Sequence, residues 1–130
     1  MNTTAVIGIH ASLGTAVILF NLLLGVWALI KYLRGEQGID GSFAGAVVLS
    51  PVLGVVQVAV GIVLIAFGYG GAPRAIHYLY GVLCVLSVPA AFAFTRGRDD
   101  RGMLLIYSMI LFFVCICGFR AYTAVYSGGI

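Results

Sequence analysis

Residues 5–33 read AVIGIHASLGTAVILFNLLLGVWALIKYL, with one charged side chain, Lys31, and one histidine, His10. About 20 helical residues cross a hydrocarbon core of roughly 30 Å, so this run is long enough to span a bilayer. It is the first of four such stretches: Ala5–Leu33, Phe43–Phe67, Pro73–Phe94 and Met103–Tyr126. Inside a bilayer every backbone N–H and C=O must be satisfied within the protein, which leaves helices or closed barrels. The runs are continuous rather than alternating, which argues against a barrel. The expected fold is all-α: an integral membrane, antiparallel four-helix bundle forming one domain over residues 1–130.

Only 8% of the 130 residues are charged, against about 25% in ordinary soluble domains, so the expected surroundings are lipid. The net charge of +3 is then a topology signal rather than a nucleic-acid footprint. Lys31 and Arg34 fall in the first loop, and Arg96, Arg98 and Arg101 in the third. An excess of Lys and Arg marks cytoplasmic loops, which predicts a multi-pass protein of the cell (inner) membrane with both termini on the outer side. Tyr69, Tyr78, Tyr80, Tyr122 and Tyr126 would form an outer aromatic belt, with Trp27 and Tyr32 at the inner boundary. No Lys or Arg precedes the first run, which is too long for a signal-peptide core and reads as a retained helix.

Local signals punctuate the four runs. Ser42 is placed to cap helix 2, and Asp99 or Asp100 to cap helix 4. Gly70-Gly71-Ala72-Pro73 reads as a tight turn, with Pro73 opening helix 3. Pro51 and Pro89 fall inside helices and are expected to kink them.

The chain has two histidines, and each is followed four residues on by a glycine: His10 by Gly14, His77 by Gly81. In both cases 24 residues separate the histidine from an Arg-Gly pair, Arg34-Gly35 and Arg101-Gly102. This suggests a repeat at an offset of 67, with both histidines at one depth. Helices 1 and 3 lie on a diagonal of an up-down-up-down bundle, so the two imidazoles can face each other across its axis. Neutral imidazole is a good iron ligand, and low-spin heme takes two axial ligands. Residues four apart share a helix face, so Gly14 and Gly81 would give clearance for a macrocycle. Ser50, Gly54, Gln57 and Gly61 form a small or polar face on helix 2 that should turn inward.

Arg120 lies within helix 4 near the height of the histidines, where no acidic residue is available to pair with it. Arg120, and Arg74 just before helix 3, could hold the carboxylates of a heme. Singly, these residues have plainer readings. A histidine can be interfacial, glycines allow close helix contact and an arginine can snorkel. Their conjunction is what points to heme b.

Other signals set bounds. All four acidic residues, Glu36, Asp40, Asp99 and Asp100, fall in loops, which argues against a proton-coupled transporter. Cys115 and Cys117 diverge on one helix and, like Cys84, read as structural. Asn21 and Gln57 should make hydrogen bonds between helices, and Gln57 could also contact a quinone.

The segment Val56-Gln57-Val58-Ala59-Val60-Gly61, followed by Ala75-Ile76-His77, resembles a pattern in the heme A synthase family. Four-helix halves of that family hold heme between histidines of two helices. The resemblance implies His77 as an axial ligand, with His10 its partner by geometry, as in membrane b-type cytochrome bundles generally. The acidic residue that the family sets beside a histidine has no counterpart next to His10 or His77. The expected function is therefore a heme-binding electron-transfer subunit without bond-making catalysis of its own. The alternative is an accessory subunit of a larger respiratory or photosynthetic membrane complex.

Overall fold

The computed structural model describes residues 2–69 and 75–126, the side chain of Tyr126 excepted. It is all-helical. The elements are α1 (Thr3–Leu33), α2 (Gly41–Leu64), a wider π-type turn at Ile65–Tyr69, α3 (Ala75–Phe94) and α4 (Arg101–Tyr126). Each helix is long and apolar enough to cross a membrane. Their outward faces carry large apolar side chains such as Leu19, Leu23, Val48, Leu86 and Ile116. The glycine turn at residues 70–73 lies outside the described residues.

α1 packs on α2 and α4, and α3 packs on the same two, so α1 and α3 occupy one diagonal. The α1–α4 contact is the most extensive because small residues let the backbones approach. A Cβ on Gly118 would meet Ile18 at 3.0 Å, and one on Gly25 would meet the Phe112 ring at 2.9 Å. Ser108 donates to the Gly25 carbonyl across the same contact, at 3.0 Å.

The loop-side half of the bundle is solidly filled. Leu24, Phe43, Met103, Leu104 and Leu111 form one core cluster, and Val17, Cys84, Val114 and Cys117 form a smaller one. Between these layers Asn21 is fully buried. It donates to the Val17 carbonyl at 2.8 Å and accepts from the Ser50 hydroxyl at 2.6 Å. This is the interhelical hydrogen bond expected of Asn21. Asn21→Leu is expected to destabilise the protein by about 1–2 kcal/mol, because it leaves the Ser50 hydroxyl unpaired. A double-mutant cycle with Ser50→Ala should return a coupling of about 0.5–1.5 kcal/mol in denaturant titrations in detergent.

Both charged loops sit at one end and are stitched together. The Ile39 N–H donates to the Asp99 carbonyl at 2.9 Å. Arg101 donates to the Tyr32 carbonyl at 2.9 Å, with its guanidinium 4.2 Å from the centre of the Tyr32 ring. Lys31 is buried and bonded to Glu36 and, at 2.7 Å, to Asp40. The cap of α2 is Asp40, whose carboxylate accepts from the Phe43 N–H at 2.8 Å, and not Ser42. The helix already begins at Gly41, which puts Ser42 inside it. Asp100 accepts from the Gly102 N–H at 3.0 Å at the start of α4, one of the two residues expected there.

The two Arg-Gly pairs are not structural equivalents. Arg34-Gly35 closes α1, with Gly35 at φ 77°, whereas Arg101-Gly102 opens α4. α3 stops earlier, at Phe94, where Thr95 bonds back to the Ala91 carbonyl at 2.8 Å. Left-handed Arg96 and Gly97 then turn the chain. α2 and α3 run as unbroken helices through Pro51 and Pro89.

The Lys31 ammonium, and after it the Phe43 N–H, hold the Asp40 carboxyl below the usual carboxylate range. A carboxyl whose pKa is depressed on folding adds stability that is complete above its unfolded pKa of about 3.9 and fades as pH falls through the folded value. The loop end should therefore loosen in acid below about pH 4. Asp40→Asn should flatten that limb of the stability–pH curve, which thermal unfolding between pH 3 and 6 would check.

Candidate functional site

The end of the bundle away from the charged loops is built differently. α1 brings in His10 from its second turn and α3 brings in His77 from its first. Their rings lie across the diagonal with centroids 6.1 Å apart and planes inclined at 57°. The two histidines start at different distances from their helix ends, and the tertiary packing brings them to one height.

The surroundings of the two rings differ. His77 Nδ1 is 2.9 Å from the Ala121 carbonyl of α4. A carbonyl can only accept, so Nδ1 carries the proton and Nε2 keeps the lone pair. The ring also meets Tyr78 edge-on, with centroids 5.8 Å apart. His10 Nδ1 is buried with no hydrogen-bond partner among the described residues, while the ring interacts with the Gln57 main chain of α2. Its ring edge lies on Gly61 of α2, where an added Cβ would come within 3.1 Å of Cε1.

Around the pair is a cavity of about 360 Å³. Small residues from all four helices wall it: Gly14, Gly54, Gly61, Gly81, Gly118 and Ala121. Tyr69, Tyr78 and Tyr122 also line it, and Cys84 and Val17 reach it from the packed layers. The inward face expected of α2 is found. Ser50 is buried, Gly54 lies 3.3 Å from the Cys84 carbonyl when given a Cβ, and Gln57 and Gly61 line the cavity.

The other expected site residues divide. Gly81 faces open space, its nearest neighbour being a Val58 methyl at 3.9 Å from a would-be Cβ. Gly14 instead receives the Gln57 amide, 3.1 Å from where its Cβ would stand. Gln57 Oε1 is buried without a partner among the described residues. Arg120 is exposed and does not line the cavity, as expected of a long cation that can reach out of an apolar helix face. Arg74 lies outside the described residues. Cys84, Cys115 and Cys117 are free thiols, and Cys84 leans on the Val114 carbonyl at 3.7 Å. Two participants escape a reading of side-chain types: the Ala121 carbonyl and the Gly118 wall. The one signal for them in the sequence is the small-residue spacing Gly118-Phe119-Arg120-Ala121 on α4.

Two imidazoles are too few ligands for a bare structural metal ion, which usually takes four protein ligands. The described residues hold no group of three or more His, Cys, Asp or Glu side chains able to share a metal. No family model, curated protein or solved structure matches the chain.

Proposed function

We propose that this chain is an integral membrane protein that binds heme b between His10 and His77 and passes electrons. One observation carries the reading: two imidazoles 6.1 Å apart across a cavity walled by glycine and alanine. His10 and His77 would be the residues to hold the iron. The residues present fit the group in three further ways. His77 is held in the tautomer that offers Nε2, by the kind of carbonyl partner that metal-ligating histidines use. His10 has a buried ring nitrogen in want of a partner. The walls around the pair are mostly apolar.

When bound, the heme supplies a one-electron iron couple. The chain orients the imidazoles, sets their tautomers and supplies a low-dielectric shell, all levers on potential. With Arg120 outside the cavity wall, Arg74 is the remaining candidate partner for the propionates. In this reading the charged loops face the cytoplasm, the termini face outward, and the heme lies near the outer surface, within reach of redox partners there.

Detergent-purified protein should show a b-type reduced-minus-oxidised difference spectrum and about one extractable heme per chain. Folded but colourless protein from cells well supplied with heme would overturn the reading. If that protein copurified with other membrane subunits, an accessory role would take its place.

A further inference from the structure

Two residues of the cavity wall, His10 and Gln57, each bury a polar atom that has no hydrogen-bond partner among the described residues: His10 Nδ1 and Gln57 Oε1. The His10 ring also meets the Gln57 main chain, whose carbonyl can only accept. With Nδ1 unpartnered, Nε2 makes that contact and carries the proton, so Nδ1 keeps its lone pair. An amide oxygen likewise only accepts. The cavity therefore presents two idle acceptors, and buried acceptors left unpaired are costly.

We infer that in the heme-free chain this cavity takes the head group of a lipid-soluble hydroquinone, whose two hydroxyls supply the missing donors. The inference stands apart from the heme reading: hydroquinone and heme are alternative occupants of one space.

The surroundings narrow the donor. No Asp or Glu is among the described residues that line the cavity, so a cationic donor would lack a counter-charge in the membrane. Gly14 lies against the Gln57 amide, Gly61 against the His10 ring, and Gly81 faces open space, which leaves room for a flat ring rather than a branched body. On the α2–α3 side Ile62, Ile65 and Val82 line the cavity and are also exposed, so it opens to the lipid-facing surface there. At this mouth α2 widens into the π-type turn Ile65–Tyr69, a kind of turn frequent at functional sites. A ligand that comes from the bilayer, is flat and neutral, and carries two O–H donors is a hydroquinone, with its hydrocarbon tail left among those three side chains. The oxidised quinone has carbonyls and no O–H, so it satisfies neither acceptor, and the cavity favours the reduced form.

The test uses the full-length chain, purified in detergent from heme-depleted cells. It is titrated calorimetrically, against protein-free micelles as blank, with tetramethylhydroquinone kept reduced and with its dimethyl ether, which has the same ring and no donors. The hydroquinone is expected to bind at least about tenfold more tightly than the ether, the worth of two hydrogen bonds. The corresponding quinone should also bind more weakly than the hydroquinone. Gln57→Leu should weaken hydroquinone binding by about tenfold and leave ether binding unchanged. Preloading with hemin should remove hydroquinone sites one for one. Equal affinity for hydroquinone and ether, no binding of either, equal losses of both in Gln57→Leu, or undiminished hydroquinone binding by hemin-loaded protein overturns the inference. If Gln57→Leu does not fold, Gln57→Met takes its place, and the ligand comparison on wild type decides alone. Protein that takes up no hemin yet distinguishes hydroquinone from ether defeats the heme reading only. Protein that takes up hemin but ignores hydroquinone when heme-free defeats only this inference.

Discussion

If heme b is bound as proposed, His77→Ala is expected to abolish the b-type absorbance, lowering heme content by about ten- to a hundredfold or more. The substitution would remove the proposed iron ligand and also the donor to the Ala121 carbonyl, so it would act on both the site and the α3–α4 contact. His77→Gln separates the two roles. Its amide NH₂ can still donate toward Ala121, but an amide is a poor ligand for heme iron. If His77 is a ligand, both variants lose the pigment, and the glutamine protein keeps close to wild-type thermal stability. If His77 serves only to pack α3 on α4, glutamine should restore whatever alanine loses. Spectra and unfolding midpoints measured on the same samples discriminate the two cases. The net worth of one such interhelical hydrogen bond in a membrane is about 1 kcal/mol, too little to account for complete loss of a cofactor.

The second large effect is expected at Gly54. A Cβ there would stand 3.3 Å from the Cys84 carbonyl oxygen and 3.5 Å from its carbon, so what it meets is backbone. A flexible side chain could yield, but a helix backbone must translate. Gly54→Leu should therefore push α2 and α3 apart, at about 1–3 kcal/mol or more for overpacking. It should also fill the adjoining cavity and, on the heme proposal, lower heme content along with stability. Gly45→Leu is the control on the same helix. It has nothing within 4 Å of a would-be Cβ, faces outward and should be close to neutral. Equal effects at the two positions would mean that glycine acts there through backbone freedom rather than through close contact.

The helices themselves were legible from composition and run length. α1, expected at Ala5–Leu33, spans Thr3–Leu33, and α4, expected from Met103, starts at Arg101. The juxtaposed histidines and the inward Ser50–Gly61 face were legible too, because polar and small residues are scarce in these runs. Less legible was how each residue is turned about its helix axis. Arg120 faces outward rather than into the bundle, Gly14 meets Gln57 rather than open space, and the Arg-Gly pairs fall at unlike places in their helices. Helices that are apolar nearly all round carry little directional signal, and so the side that faces inward is set by the neighbours.

The chain's order of residues was enough to decide that it makes four membrane-length helices joined by two charged loops at one end. Each helix meets its own backbone hydrogen-bond demand, and hydrocarbon leaves that demand no other outlet. The order did not decide which backbone atom holds each imidazole. The Ala121 carbonyl next to His77, and the Gln57 main chain next to His10, arise from how α4 and α2 come to rest against the diagonal pair. Contacts of that kind depend on ångström-scale helix packing, and a main-chain acceptor leaves no mark of its own in the sequence.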